Sequence, residues 1–470
     1  MVFSSFVFLY GFLPLVLLLY FIAKKEWKNT VLLFFSLFFY AWGELTGVFI
    51  LLFNVLIGWI SGRCIERAGQ TKTGKTLLFL SIAFQVLFLV YYKYLGFLLE
   101  AFQSLTSVSL AYTPPALPIG ISFFTFHVIS YLVDVYRREA PALTSYSSLL
   151  LYIALFPQLV AGPIIRYADV QTQLKERRIT LDGFSQGVVR FITGLGKKVI
   201  FANSLAGLTP FFLDSPSDQL TVAGAWLGIL AFALQIYFDF SGYSDMAIGL
   251  GKMFGFSFKE NFDYPYISTG AAEFWRRWNI SVGRFFRDYV YIPLGGNRKR
   301  ALMNMFIVWF LTGLWHGASW NYVVWGLFFG AMITLEKSFL QQLLSRLPRF
   351  ISHLYFTVVV LVGWVFFYFE SLRDGARYLR TMFGFGHVPA VNEAFFIHLQ
   401  NHIILLVLGL IISTPVPARL HQAMSHRMKP RMAHAVYNQL LVPITSLVIL
   451  AVSVLLLVGK TYTPFFYFRF

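Results

Sequence analysis

Long apolar runs separated by short polar or basic stretches set the pattern of this chain. They lie at 6–23, 31–42, 47–60, 77–98, 117–135, 149–161, 222–240, 302–314, 322–335, 354–369, 403–413 and 441–457. A helix that crosses a bilayer needs about 20 predominantly apolar residues. The pattern predicts an all-α, polytopic integral membrane protein with roughly 10–12 membrane segments, the shorter runs being tilted, paired or re-entrant. No polar stretch is long enough for a soluble domain, so a single membrane domain over 1–470 is expected.

Charge gives these runs a direction. No Lys or Arg precedes the first run, as a cleaved signal peptide would require. The first basic cluster, Lys24, Lys25 and Lys28, follows it. The positive-inside rule then places the N-terminus outside and that cluster in the cytoplasm. Arg63, Arg67, Lys72 and Lys75 agree after two more crossings, and Arg137 and Arg138 after another two. The 149–161 run breaks this order, because Arg166, Lys175, Arg177 and Arg178 follow it closely. A re-entrant or bent segment, broken at Pro157 and at Gly162-Pro163, resolves the conflict. Irregular backbone at membrane depth needs protein or a water-filled space around it, so the break points to a cavity.

Composition sharpens the class. Of the residues, 57% are hydrophobic and 13% charged, with a formal net charge of +17. Soluble domains are roughly 45–50% apolar and about 25% charged. This excludes a soluble enzyme, a disordered chain and a disulfide scaffold. The basic residues are scattered between apolar runs, which argues against nucleic-acid binding. The one cysteine, Cys64, lies beside a basic loop expected to face the cytoplasm and has no neighbouring base.

Residues 237–320 depart from the pattern. Asp239, Ser241, Tyr243 and Asp245 follow the 222–240 run, with the two carboxylates expected at its end. Trp275, Arg276, Arg277, Trp278 and Asn279 come next, then Arg284, Arg287, Asp288, Tyr289 and Asn297, then Trp315, His316 and Gly317. Ionisable groups at membrane depth are costly and usually pair or line a cavity. Arg276, Arg277 and the Arg287-Asp288 pair are the expected counter-charges. The bland alternative is an interfacial loop anchored by aromatic and arginine side chains. His316 is the sharpest candidate. Histidine has an unperturbed pKa near neutrality and takes a proton from a hydroxyl as a general base must. The alternative is a satisfied core histidine; Gly317 beside it favours close approach of a ligand or backbone. His398 and His402 share a helical face but lack the adjacent acid of a metallohydrolase motif. His421, His426 and His434 sit among Arg419, Arg427, Lys429 and Arg431, a basic loop. His127 either lines a cavity or packs. No metal-binding pattern is present.

Taken together, these motifs resemble the membrane-bound O-acyltransferase (MBOAT) family, in the bacterial branch of the alginate O-acetyltransferase membrane subunit. The resemblance rests on 1–5, 118–123, Ala161-Gly162-Pro163, 237–245, 274–278, 294–297, Trp315-His316-Gly317 and 464–470. It implies an MBOAT fold of membrane helices around a central polar tunnel, with acyl thioester entering from the cytoplasm. It makes His316 the catalytic histidine and places Asn279, 37 residues upstream, at the second active-site position. The branch is expected to have His there, so Asn279 resembles eukaryotic members; an amide orients or polarises but is no base near neutral pH. The tunnel residues implied are Asp239, Ser241, Tyr243, Asp245, Trp275, Arg276, Arg277, Trp278, Arg287, Tyr289, Asn297 and Trp315.

The function implied is movement of an acetyl group from cytoplasmic acetyl-CoA for O-acetylation of an extracytoplasmic polysaccharide, through an extracytoplasmic acyltransferase partner. Peptidoglycan O-acetylation and teichoic-acid D-alanylation are alternatives on the same fold. His316 acts as base or as a transient acyl carrier. Arg276, Arg277, Lys197 and Lys198 meet the phosphates of coenzyme A on charge grounds. A transporter or flippase is the rival from another class; it would show an inverted repeat, and the 237–320 stretch has no counterpart in 1–150. A polysaccharide-export scaffold would leave His316 dispensable.

Overall fold

The structure is a computed structural model. It describes residues 1–106, 108, 111–160, 162–216, 219–427 and 435–458. Ala161, Lys429, Arg431, His434 and the 464–470 motif lie outside the described residues. Helices form throughout the described chain, and no strand occurs in it. Among the described residues, seven helices are long and apolar enough to cross a membrane: Leu45–Ala68, Lys72–Thr106, Val222–Met253, Trp320–Ser345, Arg349–Tyr368, Glu393–Ile412 and Gln439–Leu457. Val7–Ile22 and Ala301–His316 are shorter apolar helices. The all-α, multi-pass reading of the apolar runs holds.

Two boundaries differ from expectation. The 222–240 run continues as one helix to Met253, so Asp239 and Asp245 lie inside a membrane-length helix rather than at its end. Leu181–Gly196 passes through a π-helical segment, Lys197–Ala202, into Asn203–Leu213. Arg190, Lys197 and Lys198 interrupt its apolar pattern, so no span was expected there.

The described chain packs as two compact units. The first comprises Met1–Val188, Met246–Lys259 and Arg287–Tyr289; the second comprises Val189–Asp245, Glu260–Phe286 and Val290–Phe470.

In the first unit, the expected break near Pro157 is present. Helix Tyr146–Ala154 ends, Leu155 is extended (ψ 113°), and Pro157 sits in the first turn of the short helix Phe156–Leu159. There proline's missing N–H costs nothing. The backbone then runs irregularly to the helix Tyr167–Lys175. Its polar groups are satisfied by one face of the helix Ile121–Arg137. Ile165 N–H donates to His127 Nε2 (3.3 Å), Tyr167 N–H to Ser130 Oγ (3.3 Å) and Ala168 N–H to Asp134 Oδ2 (3.0 Å). Residues 127, 130 and 134 follow i, i+3, i+7 spacing, which puts them on one stripe. Tyr152 Oη completes the set by donating to the Ile165 carbonyl (2.6 Å). The break therefore marks packed protein rather than a cavity, and His127, fully buried, is part of that packing.

The second unit is built on aromatic rings. Phe274, Trp278, Trp325, Phe329, Trp364 and Phe367 belong to one buried cluster. Lipid is as apolar as these rings, so close packing rather than exclusion from water must hold the helices together. Ala301–His316 and Trp320–Leu335 approach at small residues. A Cβ on Gly313 would stand 2.3 Å from the Tyr322 carbonyl oxygen, and one on Gly326 2.3 Å from that of Trp309. The helix that makes this contact ends at His316, where Gly317 is extended.

Candidate active site

His316 is 4% exposed. Its ring lies 4.6 Å from Trp315, 4.8 Å from Trp325 and 5.2 Å from Phe367, centroid to centroid, the last two edge-on. Gly317 makes room for Tyr322, whose Cε2 would be 2.2 Å from an added Cβ. The glycine thus admits a neighbouring ring, not the ligand or backbone anticipated from the sequence.

The 271–279 stretch reaches His316 through two lines of rings. Trp275 packs on Trp325 (5.3 Å), which borders His316. Trp278 packs on Trp364 (5.0 Å), Trp364 on Phe367 (5.4 Å), and Phe367 on His316. The helix Ala271–Arg277 is held from both ends. Buried Glu336 accepts the Ala271 N–H (2.9 Å). Past the other end, Ile280 N–H donates to the Asn261 carbonyl (2.9 Å) and Ser281 N–H to Asn261 Oδ1 (2.9 Å). Between them Asn279 takes a left-handed conformation (φ 43°) while 4% exposed. Asn, Asp and His are the side chains enriched there. The backbone therefore suits both the Asn found and the His expected.

Polar atoms collect around this point without partners. Asn279 Oδ1 and the indole N–H groups of Trp275 and Trp325 are buried and make no hydrogen bond among the described residues. Native proteins satisfy nearly all buried polar groups, so each of these atoms is open to a bond from water or a polar ligand.

The carboxylates are organised differently from expectation. Asp239 (2% exposed) is ion-paired with Lys198, itself buried. Asp245 pairs with Lys197 (2.7 Å) and Arg190 (2.6 Å). Their counter-charges thus come from residues 190–198, not from Arg276, Arg277 or the Arg287-Asp288 pair. Gly242 allows the approach: a Cβ there would lie 2.8 Å from the Gly194 carbonyl oxygen. Ser241 and Tyr243 are buried on the same helix. Tyr237, a turn before, packs on Trp278 (6.2 Å). Arg277 is taken by Glu273 (3.1 Å) and Asp263 (2.9 Å). Of the four cations expected to meet phosphate, only Arg276 has no carboxylate partner among the described residues.

The remaining candidates are engaged elsewhere. Asn297 is exposed, accepts a hydrogen bond from Tyr291 Oη (2.7 Å), and lies in a turn whose carbonyls Asn304 Nδ2 binds. Arg287 and Tyr289 belong to the first unit. There Arg287 binds Asp288 (2.7 Å), which also binds Arg166 (2.9 Å). Tyr289 Oη donates to Asp134 (2.7 Å). Burial first, and then the Asp134 charge, push the Tyr289 phenol above its usual range. Sequence reasoning missed Trp325, Phe367, Trp364 and Glu336. The three aromatics lie in apolar runs where any ring reads as core, and nothing local ties Glu336 to residue 271.

Residues 76–373 match the family model of MBOAT, the membrane-bound O-acyltransferase family. Along its full length the chain is similar to a probable alginate O-acetylase of Azotobacter vinelandii, 38% identical over 506 aligned positions that cover 100% of both chains. It is 42% identical to the probable alginate O-acetylase of Pseudomonas aeruginosa, over 82% of this chain and 75% of that one. It is also 32% identical to a peptidoglycan O-acetyltransferase of Helicobacter pylori, over 83% of this chain and 81% of that one.

The buried Lys198–Asp239 pair yields a prediction. Removing one partner of a buried ion pair costs about 3–5 kcal/mol, whereas replacing both with apolar groups is often tolerated. Asp239→Leu should lower the unfolding free energy in detergent by that order, and adding Lys198→Met should recover much of the loss. Equal stability of the single and double variants would contradict the pairing.

Proposed function

Because the chain belongs to the membrane-bound O-acyltransferase family, and is a multi-pass membrane O-acyltransferase, we propose that it carries an acetyl group from cytoplasmic acetyl-CoA to an acceptor on the other side, for O-acetylation of an alginate-like exopolysaccharide. One observation carries the reading: His316 is buried, and Trp325 joins it to the Trp275–Asn279 stretch, where buried polar atoms lack partners. The polymer and the acetyl group are suggested by the names of the Azotobacter and Pseudomonas relatives.

The steps follow from general acid–base chemistry. His316 takes the proton of the acceptor hydroxyl as its oxygen attacks the thioester carbonyl. The tetrahedral intermediate carries an oxyanion, which the Asn279 Nδ2–H group and the Trp275 and Trp325 indole N–H groups are suited to stabilise as donors. One such donor is typically worth about 10²–10³ in rate. Collapse breaks the C–S bond, and the imidazolium returns the proton to the departing thiolate. Water must stay out, since it would hydrolyse the thioester, and the aromatic packing around His316 serves that end. The nucleophilic alternative, with His316 as acyl carrier, uses the same geometry.

Transfer to the polymer is assigned to an extracytoplasmic acyltransferase partner. A second reading, O-acetylation of peptidoglycan, is favoured by the similarity to the Helicobacter protein. The membrane is the bacterial cytoplasmic membrane, with the N-terminus outside.

Acetyl-CoA turnover by purified protein, with and without the partner, tests the activity. His316→Ala should abolish turnover in protein that still inserts and folds. Asn279→His should keep partial activity and Asn279→Leu lose most of it. Full activity of folded His316→Ala would overturn the proposal, as would direct polysaccharide acetylation by the lone chain for the role of the partner. Orientation has its own test in the exposed Cys64. A membrane-impermeant maleimide should label it in inside-out vesicles and not in right-side-out ones; the reverse would invert the topology.

A further inference from the structure

A cavity of about 430 Å³ opens in the second unit, away from His316, between the helix Ala271–Arg277 and the 336–352 stretch. Arg276 and Arg349 both line it, together with Thr269, Gln341 and Ser345. Both arginines are exposed, and neither has a carboxylate partner among the described residues. Two carboxylates also line it, but each is already engaged. Glu273 is held by Arg277 (3.1 Å) and accepts the Thr269 N–H (3.2 Å). Glu336 accepts the Ala271 N–H (2.9 Å) and the Tyr355 hydroxyl (3.4 Å). The Thr269 hydroxyl already donates to Glu273 (3.4 Å) and that of Ser345 to the Gln342 carbonyl (2.8 Å), so what the cavity leaves uncommitted is two guanidinium groups and the Gln341 amide. Guanidinium forks match phosphate oxygens in pairs and bind them more strongly than neutral donors do.

Its position bears on the chemistry at His316. The helix from Trp320 links the two places: Trp325 borders the His316 ring, and Glu336 borders the cavity. Eleven residues separate them, which at 1.5 Å per residue is ~16 Å. That is comparable with the reach of an extended pantetheine arm, the part of coenzyme A between its phosphates and its thioester. Arg276 also follows directly on Trp275, whose ring packs against Trp325. One segment thus carries a phosphate ligand at one residue and touches the wall of the reaction site with the next.

We propose that the Arg276–Arg349 cavity is a phosphate-ester site that grips the phosphates of the thioester donor and so sets how far its acyl end extends toward His316. This rests on the reading of acetyl-CoA as donor. A phospholipid headgroup offers the same phosphate chemistry, and the experiment separates the two.

Wild type, Arg276→Gln, Arg349→Gln and the double variant are purified into nanodiscs of phosphatidylcholine, with or without phosphatidylglycerol. Initial rates are measured with acetyl-CoA and with S-acetylpantetheine, which has the thioester arm and no phosphate. The double variant should raise KM for acetyl-CoA about tenfold or more, leave kcat within about twofold, and leave KM for S-acetylpantetheine unchanged. Equal rises for both donors would mean a structural role and overturn the proposal, as would no rise for either. So would a phosphatidylglycerol effect that the double variant loses while the ratio of the two KM values stays fixed, which would give the site to lipid. Failure of the wild type to turn over acetyl-CoA would instead overturn the donor assignment in the proposed function.

Discussion

Charge buried where water cannot reach it has to be neutralised by charge brought to it, and in the second unit this constraint joins helices far apart in sequence. Asp239 and Asp245 project from the helix Val222–Met253, and Lys198, Lys197 and Arg190 come to them from 181–202. Each carboxylate alone would be prohibitive at membrane depth. Paired, they lock two helices in register at the close Gly242–Gly194 approach. Tyr237 on the same helix then meets Trp278, the residue before Asn279. The backbone at residue 279 is thereby linked, through Trp278 and Tyr237, to the helix that carries these ion pairs.

His316 is fixed by a different means. Its helix packs at the close Gly313–Gly326 approach, and Trp325 and Phe367 leave the imidazole little freedom. Polarity there is sparse and local: the Trp315 and Trp325 indoles border the imidazole, and Trp275, in the same stretch as Asn279, packs on Trp325. An acyl thioester needs little more than a base and donors for the oxyanion, provided that water is excluded. The abundance of arginine, lysine and aspartate in 237–320 therefore serves other ends. Its aspartates Asp239, Asp245, Asp263 and Asp288 are all held in ion pairs, and Arg276 lines a separate cavity.

The membrane class and most helices were legible in the sequence, because a bilayer imposes length and apolarity on every crossing. The motifs around His316 and Asn279 stood out because they are local, and both residues are buried. Partners were not legible. Arg276 and Arg277 looked like counter-charges for Asp239 because they lie near it in the chain, but the true partners lie some forty residues upstream on a helix whose own basic residues hid it from a hydropathy reading. The 127, 130 and 134 stripe had readable helical spacing, yet nothing in the spacing says that it satisfies the loop after Gly162 rather than a cavity. Gly317 could be read as a point of close approach, but only the fold identifies Tyr322 as what approaches.

In the proposed function, acyl transfer takes place beside His316 and Asn279. A cryo-electron-microscopy map of the protein with an acetyl-CoA analogue whose thioester sulfur is replaced by methylene tests it most directly. The expected result is density for the acetyl carbonyl within hydrogen-bond reach of the Asn279 Nδ2–H group, with the His316 ring beside it. An acetyl group held elsewhere in the molecule, with the Trp275–Asn279 stretch and His316 untouched, would contradict it.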